Sequence, residues 1–320
     1  MTELIRQDIA VDKQPGPYRY LLGALALLTL GLYGQRLIAM VHVWLSDSNY
    51  SHGFFIPLLA AYFIWDKWDN ISQTEVRMPR WSTATGMALV GLALLMHFAG
   101  VVGSEARLSD FSLIVCLYGL VLTFMGPGLF AKVAFPIFFL ALMLPPPEGL
   151  YHRSTVFMQN WASVASSAIL NTIGVAVQND GNVLHFGYDA QGEPRVLKVA
   201  EACSGIRSLL GLLAMGFTLA YLMLKKWTPR IILMLLTVPV AVFCNVLRVT
   251  ITGFLYDRVS PRFAEDFLHM FTGWVIFIVG LGILLVVVKA LHIIFELDVE
   301  TSEENTPPET RLDTQRSASS

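Results

Sequence analysis

The chain has 320 residues, of which 55% are hydrophobic and only 14% charged, with a formal net charge of −2; globular domains carry roughly 25% charged residues. A soluble fold needs polar surface on all sides, whereas polarity here is confined to short clusters between apolar runs, so the composition excludes a soluble domain and predicts a polytopic membrane protein. The near-neutral charge offers no bulk attraction to nucleic acid, and no nucleic-acid partner is expected.

A short N-terminal tail, 1–19, is followed by the first apolar run near Tyr20. That run lacks an early small-residue cleavage site and many more follow it, so no cleavable signal peptide is expected. A membrane-crossing helix needs about 20 mostly apolar residues. By that measure the chain predicts eight spans: 20–37, 52–66, 84–103, 109–126, 129–147, 203–224, 231–255 and 268–291. The second is short, and Trp65 and Trp68 at its end suit an interfacial aromatic belt. The largest insertion, 145–202, opens with Pro145-Pro146-Pro147, a stop no helix passes easily. Within it, 150–177 carries Arg153, Gln159, Asn160, Asn171 and several serines, and predicts an amphipathic helix lying on or partly in the membrane surface. Two alternating runs, 182–186 and 196–199, flank a turn-rich centre and predict a short β-hairpin above the start of the sixth span. Residues 292–320, with seven acidic groups, two prolines and a serine-rich end, predict a disordered tail. The expected fold class is therefore an all-α polytopic membrane protein of about eight helices. Its body is 20–291, with a small insertion of helix and hairpin.

The compact basic clusters Lys225-Lys226 and Arg77/Arg80 share one side on this layout. Basic residues favour the cytoplasm, so both termini are expected there and 145–202 on the opposite, extracytoplasmic face. Ionisable groups at membrane depth are expensive and face a cavity or a partner. They single out Glu201-Ala202-Cys203-Ser204-Gly205-Ile206-Arg207 at the start of span six, Asn245-Val246-Leu247-Arg248 late in span seven, and His269 at the start of span eight. Span six begins on the outer face, span seven returns to it, and span eight leaves from it, so Cys203, Arg248 and His269 belong to one leaflet. If span seven ends near Leu255, Arg248 lies about 10 Å inside its outer end.

An imidazole can take a thiol proton, and thiolate is the nucleophile. A guanidinium can stabilise that thiolate or the oxyanion formed on a peptide carbonyl. The bland readings are kept for the other groups. Cys116 and Cys244 read as small hydrophobes, His97 and His292 as structural, Arg36 as an arginine snorkelling to headgroups. Arg207 divides between snorkelling and function. His52, in Ser51-His52-Gly53, reads as a substrate contact or a helix cap. The three cysteines form no CxxC pair and no ligand spacing, so no disulfide framework, metal or other cofactor is expected.

These pieces resemble the exosortase/archaeosortase family of membrane cysteine transpeptidases. The resemblance rests on Ser51-His52-Gly53-Phe54-Phe55, Ala202-Cys203-Ser204-Gly205-Ile206, Asn245-Val246-Leu247-Arg248, and His269 with Gly273, in that order over roughly 20–291. It implies a triad of Cys203, Arg248 and His269 in a bacterial inner membrane, facing the periplasm, with Asn245, Arg207, Glu201 and His52 as accessory or substrate-binding residues. It also implies substrates that end in a sorting signal: a motif such as Pro-Glu-Pro, an apolar helix and a basic cluster. Partners would be that helix, membrane lipids and a polysaccharide or lipid acceptor. One branch of the family carries a further extracytoplasmic domain after the last span; only about 29 residues follow Leu291 here, which leaves the acceptor open. Rival readings are an anion transporter using Arg248 and Arg207, and a glycan or lipid transferase in which Cys203 is incidental. A disulfide-generating oxidoreductase would need Cys244 to approach Cys203.

Overall fold

Lipid offers no hydrogen-bond partners, so apolar runs satisfy their own backbone groups by folding as helices. The computed structural model describes residues 16–188, 191–199, 205–259 and 267–304. In order these form α1 (Gly16–Ser46), a 3-10 turn (Ser48–Phe54), α2 (Phe55–Asp66), the five-residue α3 (Trp68–Ser72), α4 (Arg80–Val102), α5 (Ala106–Phe139), a second 3-10 turn (Leu140–Met143) and α6 (Glu148–Thr172). Strands β1 (Gln178–Asp180), β2 (Val183–Tyr188) and β3 (Pro194–Lys198) follow, then α7 (Gly205–Met223), α8 (Trp227–Arg258) and α9 (Phe267–Glu304). Among the described residues five stretches are long and apolar enough to cross a membrane: Gly23–Ser46, Arg80–Val102, Ala106–Met143, Trp227–Arg258 and Gly273–Phe295. Large apolar side chains such as Leu27, Leu95, Leu235 and Val286 face outward, while Ser82, Ser112 and Thr237 are buried. That inversion suits a lipid solvent, in which small polar side chains hold helices together.

Two boundaries differ from the sequence pattern, and one division coincides with it. The second expected span is the short α2, which at 12 residues is not among the five. The fourth and fifth form one stretch broken at Gly126 (φ 73°, ψ 176°). A straight helix would hold Tyr118 and Ala134 about 24 Å apart, yet the Tyr118 hydroxyl donates to the Ala134 carbonyl at 2.9 Å. The chain therefore doubles back at Gly126, where the pattern divides the two spans. The cause is local: only glycine adopts that φ,ψ readily, and the Arg77 carbonyl occupies the place a Cβ would take. Finally, α9 continues as helix to Glu304, past residue 292 where an unstructured tail is expected; 305–320 lie outside the described residues.

The chain divides into two units, Met1–His152 and Arg153–Ser320. In the first, polar groups interlock α1, α4 and α5. The Tyr33 hydroxyl bonds the Ser112 hydroxyl at 2.9 Å, and the Ser109 hydroxyl bonds His97 Nδ1 at 2.9 Å. Arg36 does not snorkel: its guanidinium lies 2.7 Å from the buried Asp110 carboxylate. Gly86 and Gly119 bring α4 and α5 into backbone contact, a Cβ on Gly119 falling 2.8 Å from the Val90 nitrogen.

In the second unit α7, α8 and α9 share a core that includes Leu212, Leu233, Cys244, Ile276 and Leu284. The three strands form one antiparallel sheet in the order β1-β2-β3, with Leu184 opposite Leu197 and His185 opposite Val196. The expected hairpin is thus β2–β3, extended by β1. It docks on the C-terminal end of α8, where Leu184, Phe186 and Leu197 share a core with Val249 and Tyr256. The Tyr256 hydroxyl donates to the Val196 carbonyl at 3.2 Å, and Arg195 reaches Asp257 at 3.3 Å.

Candidate active site

Arg248 is held deep in its helix. Because α8 continues to Arg258 rather than ending near Leu255, Arg248 lies about 15 Å from the helix end instead of 10 Å. Its side chain is buried, with 7% exposure. The guanidinium faces α9 at Gly273: a Cβ there would lie 3.6 Å from Nη2 and 3.8 Å from Cζ. Residue 269 is one turn earlier on the same helix, which brings the α9 backbone bearing His269 beside the arginine; the His269 side chain lies outside the described residues. A Cβ at 273 would thus make ordinary van der Waals contact with the guanidinium.

Asn245, one turn before Arg248, is 1% exposed. Neither its carboxamide oxygen nor its nitrogen has a hydrogen-bond partner among the described residues. Cys244 is buried in the shared core, its sulfur packed against Gly280. It serves as a small apolar group. Cys203 and Glu201 lie outside the described residues. Arg207, in the first turn of α7, is exposed.

The segment expected as an amphipathic helix on or partly in the membrane surface packs against α8. α6 runs lengthwise along α8: Phe157 and Met158 meet Val238 and Val242 around a shared cavity, the Ser166 hydroxyl donates to the Val246 carbonyl at 3.0 Å, and Leu170 packs on Gly253. One polar stripe points inward. Gln159, Ser163, Ser166 and Ser167 are buried, while Arg153, Asn160 and Asn171 are exposed along with Phe157, Trp161, Val164 and Ile169. Gln159 and the serines thus serve as a packing side. The cavity, about 270 Å³, is lined by Arg153, Phe157 and Met158 of α6, Leu209 of α7, and Val238 and Val242 of α8. Sequence inspection did not connect α6 with this site. The signal was the i, i+4, i+7 recurrence of Gln159, Ser163 and Ser166, a pattern that marks an inward stripe once the remaining face is apolar.

His52 belongs to the first unit and has a structural role there. Helical carbonyls accept from the N–H four residues on, but Pro146 and Pro147 carry none. The Leu142 carbonyl instead bonds His52 Nε2 at 3.2 Å, and the Met143 carbonyl accepts from Trp44 Nε1 at 3.0 Å. Gly53 is required because the Trp44 indole fills the space of a Cβ. Burial lowers the His52 pKa from its ordinary 6.5, against the carbonyl bonds to Leu142 and Asn49 that favour the protonated ring. This bond caps the carbonyl end of the Leu140–Met143 turn.

A family model described as transmembrane exosortase matches residues 44–286. The chain belongs to the exosortase family. Every site residue named above falls inside that range, as do α6, the sheet and the Arg248–Gly273 contact. No curated protein and no solved structure matches the chain.

Proposed function

We propose that the chain is a membrane-embedded cysteine peptidase and transpeptidase. Cys203 is the nucleophile, His269 the general acid/base and Arg248 the stabiliser of thiolate or oxyanion. The observation that carries this reading is Arg248 itself: an arginine buried in α8 against Gly273, one turn beyond residue 269, in a chain of a family whose members are generally cysteine peptidases or transpeptidases. A cation so deep in an apolar helix marks a functional position by default, and a guanidinium there can stabilise a thiolate or an oxyanion.

In this scheme His269 takes the Cys203 proton and the sulfur attacks a backbone carbonyl in the sorting signal. Arg248 faces the resulting oxyanion. The C–N bond breaks, His269 protonates the departing amine, and the apolar helix with its basic tail leaves. A thioester remains on Cys203. An acceptor amine or a water attacks it next, giving its proton to His269 and restoring the thiol. No metal or cofactor enters any step. Asn245, Arg207 and Glu201 line the approach. The chain crosses the membrane eight times in this arrangement, with 145–202 and the reacting atoms on the periplasmic side of a bacterial inner membrane. The signal helix inserts among lipids beside the bundle, and the acceptor is a surface polysaccharide or a lipid.

The test is processing of a tagged reporter ending in a Pro-Glu-Pro motif, an apolar helix and a basic cluster. Cys203→Ala and Arg248→Ala should leave it at full length on a blot, and hydroxylamine should release reporter trapped on the wild-type enzyme. Undiminished processing by Cys203→Ala would end the proposal and favour a transferase in which the sulfur is incidental.

A further inference from the structure

Several buried hydroxyls around α8 bond backbone carbonyls. Thr237 donates to Leu233, and Ser166 and Thr250 both donate to Val246. Asn245 differs: both ends of its buried carboxamide are open among the described residues, and Arg248 Nε beside it also has no hydrogen-bond partner there. Leaving such a group unpaired is expensive, and leucine has nearly the same shape without that cost. The cavity between α6, α7 and α8 reaches Val242, one turn before the amide. An extended peptide brought to this depth has the complementary problem: its N–H and C=O lose water and find no partner in lipid. A carboxamide carries the same donor and acceptor as a peptide group.

We infer that the Asn245 carboxamide docks one peptide group of the substrate, Nδ2 donating to a substrate carbonyl and Oδ1 accepting from a substrate N–H. This rests on the peptidase reading above and adds a binding residue to it. The amide is neutral at every working pH, so it can hold backbone beside Arg248 without competing for the charge that the guanidinium is there to meet. Both groups lie on one side of α8, three residues apart.

The experiment uses the full chain, Asn245→Leu and Asn245→Ala, with the tagged reporter described above. The expected result is a fall in kcat/KM of roughly 10- to 100-fold, the worth of one or two buried hydrogen bonds, carried by KM. Alongside it, Asn245→Leu should melt at or above the wild-type Tm in detergent, because an unpaired polar group has been removed. Kinetics are judged on whichever variant keeps its Tm. A marked loss of Tm in both overturns the inference, since the amide then serves the fold. Unchanged kcat/KM overturns it as well, as does a loss confined to kcat, which would move the amide to the reacting carbonyl. Cys203→Ala run in parallel separates the two levels. If that variant cleaves the reporter, or the wild type does not, the peptidase reading fails and this inference with it. If both behave as expected and Asn245→Leu matches wild type, only the docking role is lost.

Discussion

Leu142 and Met143 end a helix whose following residues, Pro145 to Pro147, cannot donate a backbone proton, and two side chains, Trp44 of α1 and His52 of the Ser48–Phe54 turn, make good the deficit. Removing His52 leaves a carbonyl unpaired, which costs about 1–3 kcal/mol. His52→Ala should therefore lower the Tm, and His52→Gln, which keeps a donor, should recover much of the loss. The pH dependence has a definite sign. Because burial holds the folded His52 below 6.5, the unfolded chain binds more protons in the interval between the two values. Stability from this residue is present above 6.5 and lost as pH falls through the folded value. Melting wild type and His52→Gln from roughly pH 5 to 8, the range over which histidine titrates, should give a steeper acid-side decline in the wild type; parallel curves would contradict the assignment.

Gly126 shows how much one residue can decide at the level of an element. It turns a single apolar stretch into two antiparallel arms, and its conformation lies where side chains are strained. Gly126→Ala should cost about 1–3 kcal/mol for that backbone region, and more from the overlap with the Arg77 carbonyl. The measurement is Tm and folded yield in detergent, and a variant as stable as wild type would contradict the fold-back. The break was legible in the sequence because Gly126-Pro127 interrupts an apolar run. The inward stripe of α6 was not: its serines and Gln159 have the composition of a surface helix, and only the neighbouring α8 tells which side they face. The same limit applied to Arg36, whose partner Asp110 lies 74 positions away in sequence, beyond the reach of any local pattern. Asn245 and Arg248 were legible for the opposite reason, since polarity within an apolar run draws notice without help from a neighbour.

At the scale of the molecule, the ends of α8 set two reference planes. The sheet docks where α8 ends, near Tyr256 and Asp257, while Trp227 begins it. A helix of 32 residues spans about 48 Å, more than the ~30 Å hydrocarbon core. With the native cysteines replaced, a cysteine at the exposed Tyr188 of β2 and one at the exposed Trp227 should meet a membrane-impermeant maleimide from opposite sides. In intact spheroplasts only Tyr188→Cys should label, and Trp227→Cys only after permeabilisation; labelling of both from one side would contradict a crossing by α8. The basic clusters supply the sidedness that this labelling tests, whereas the docking of the sheet on α8 depended on Tyr256 and Arg195, which no periodicity links. The Trp44–Gly53–His52 knot has a consequence for tracing descent. Since that part of the signature rivets two turns together and takes no role in the proposed sulfur chemistry, a duplicated copy that lost its thiol could retain the rivet. Genomic scans keyed to it would gather proteins of like shape, and would need a separate check for the sulfur before any is credited with cutting peptides.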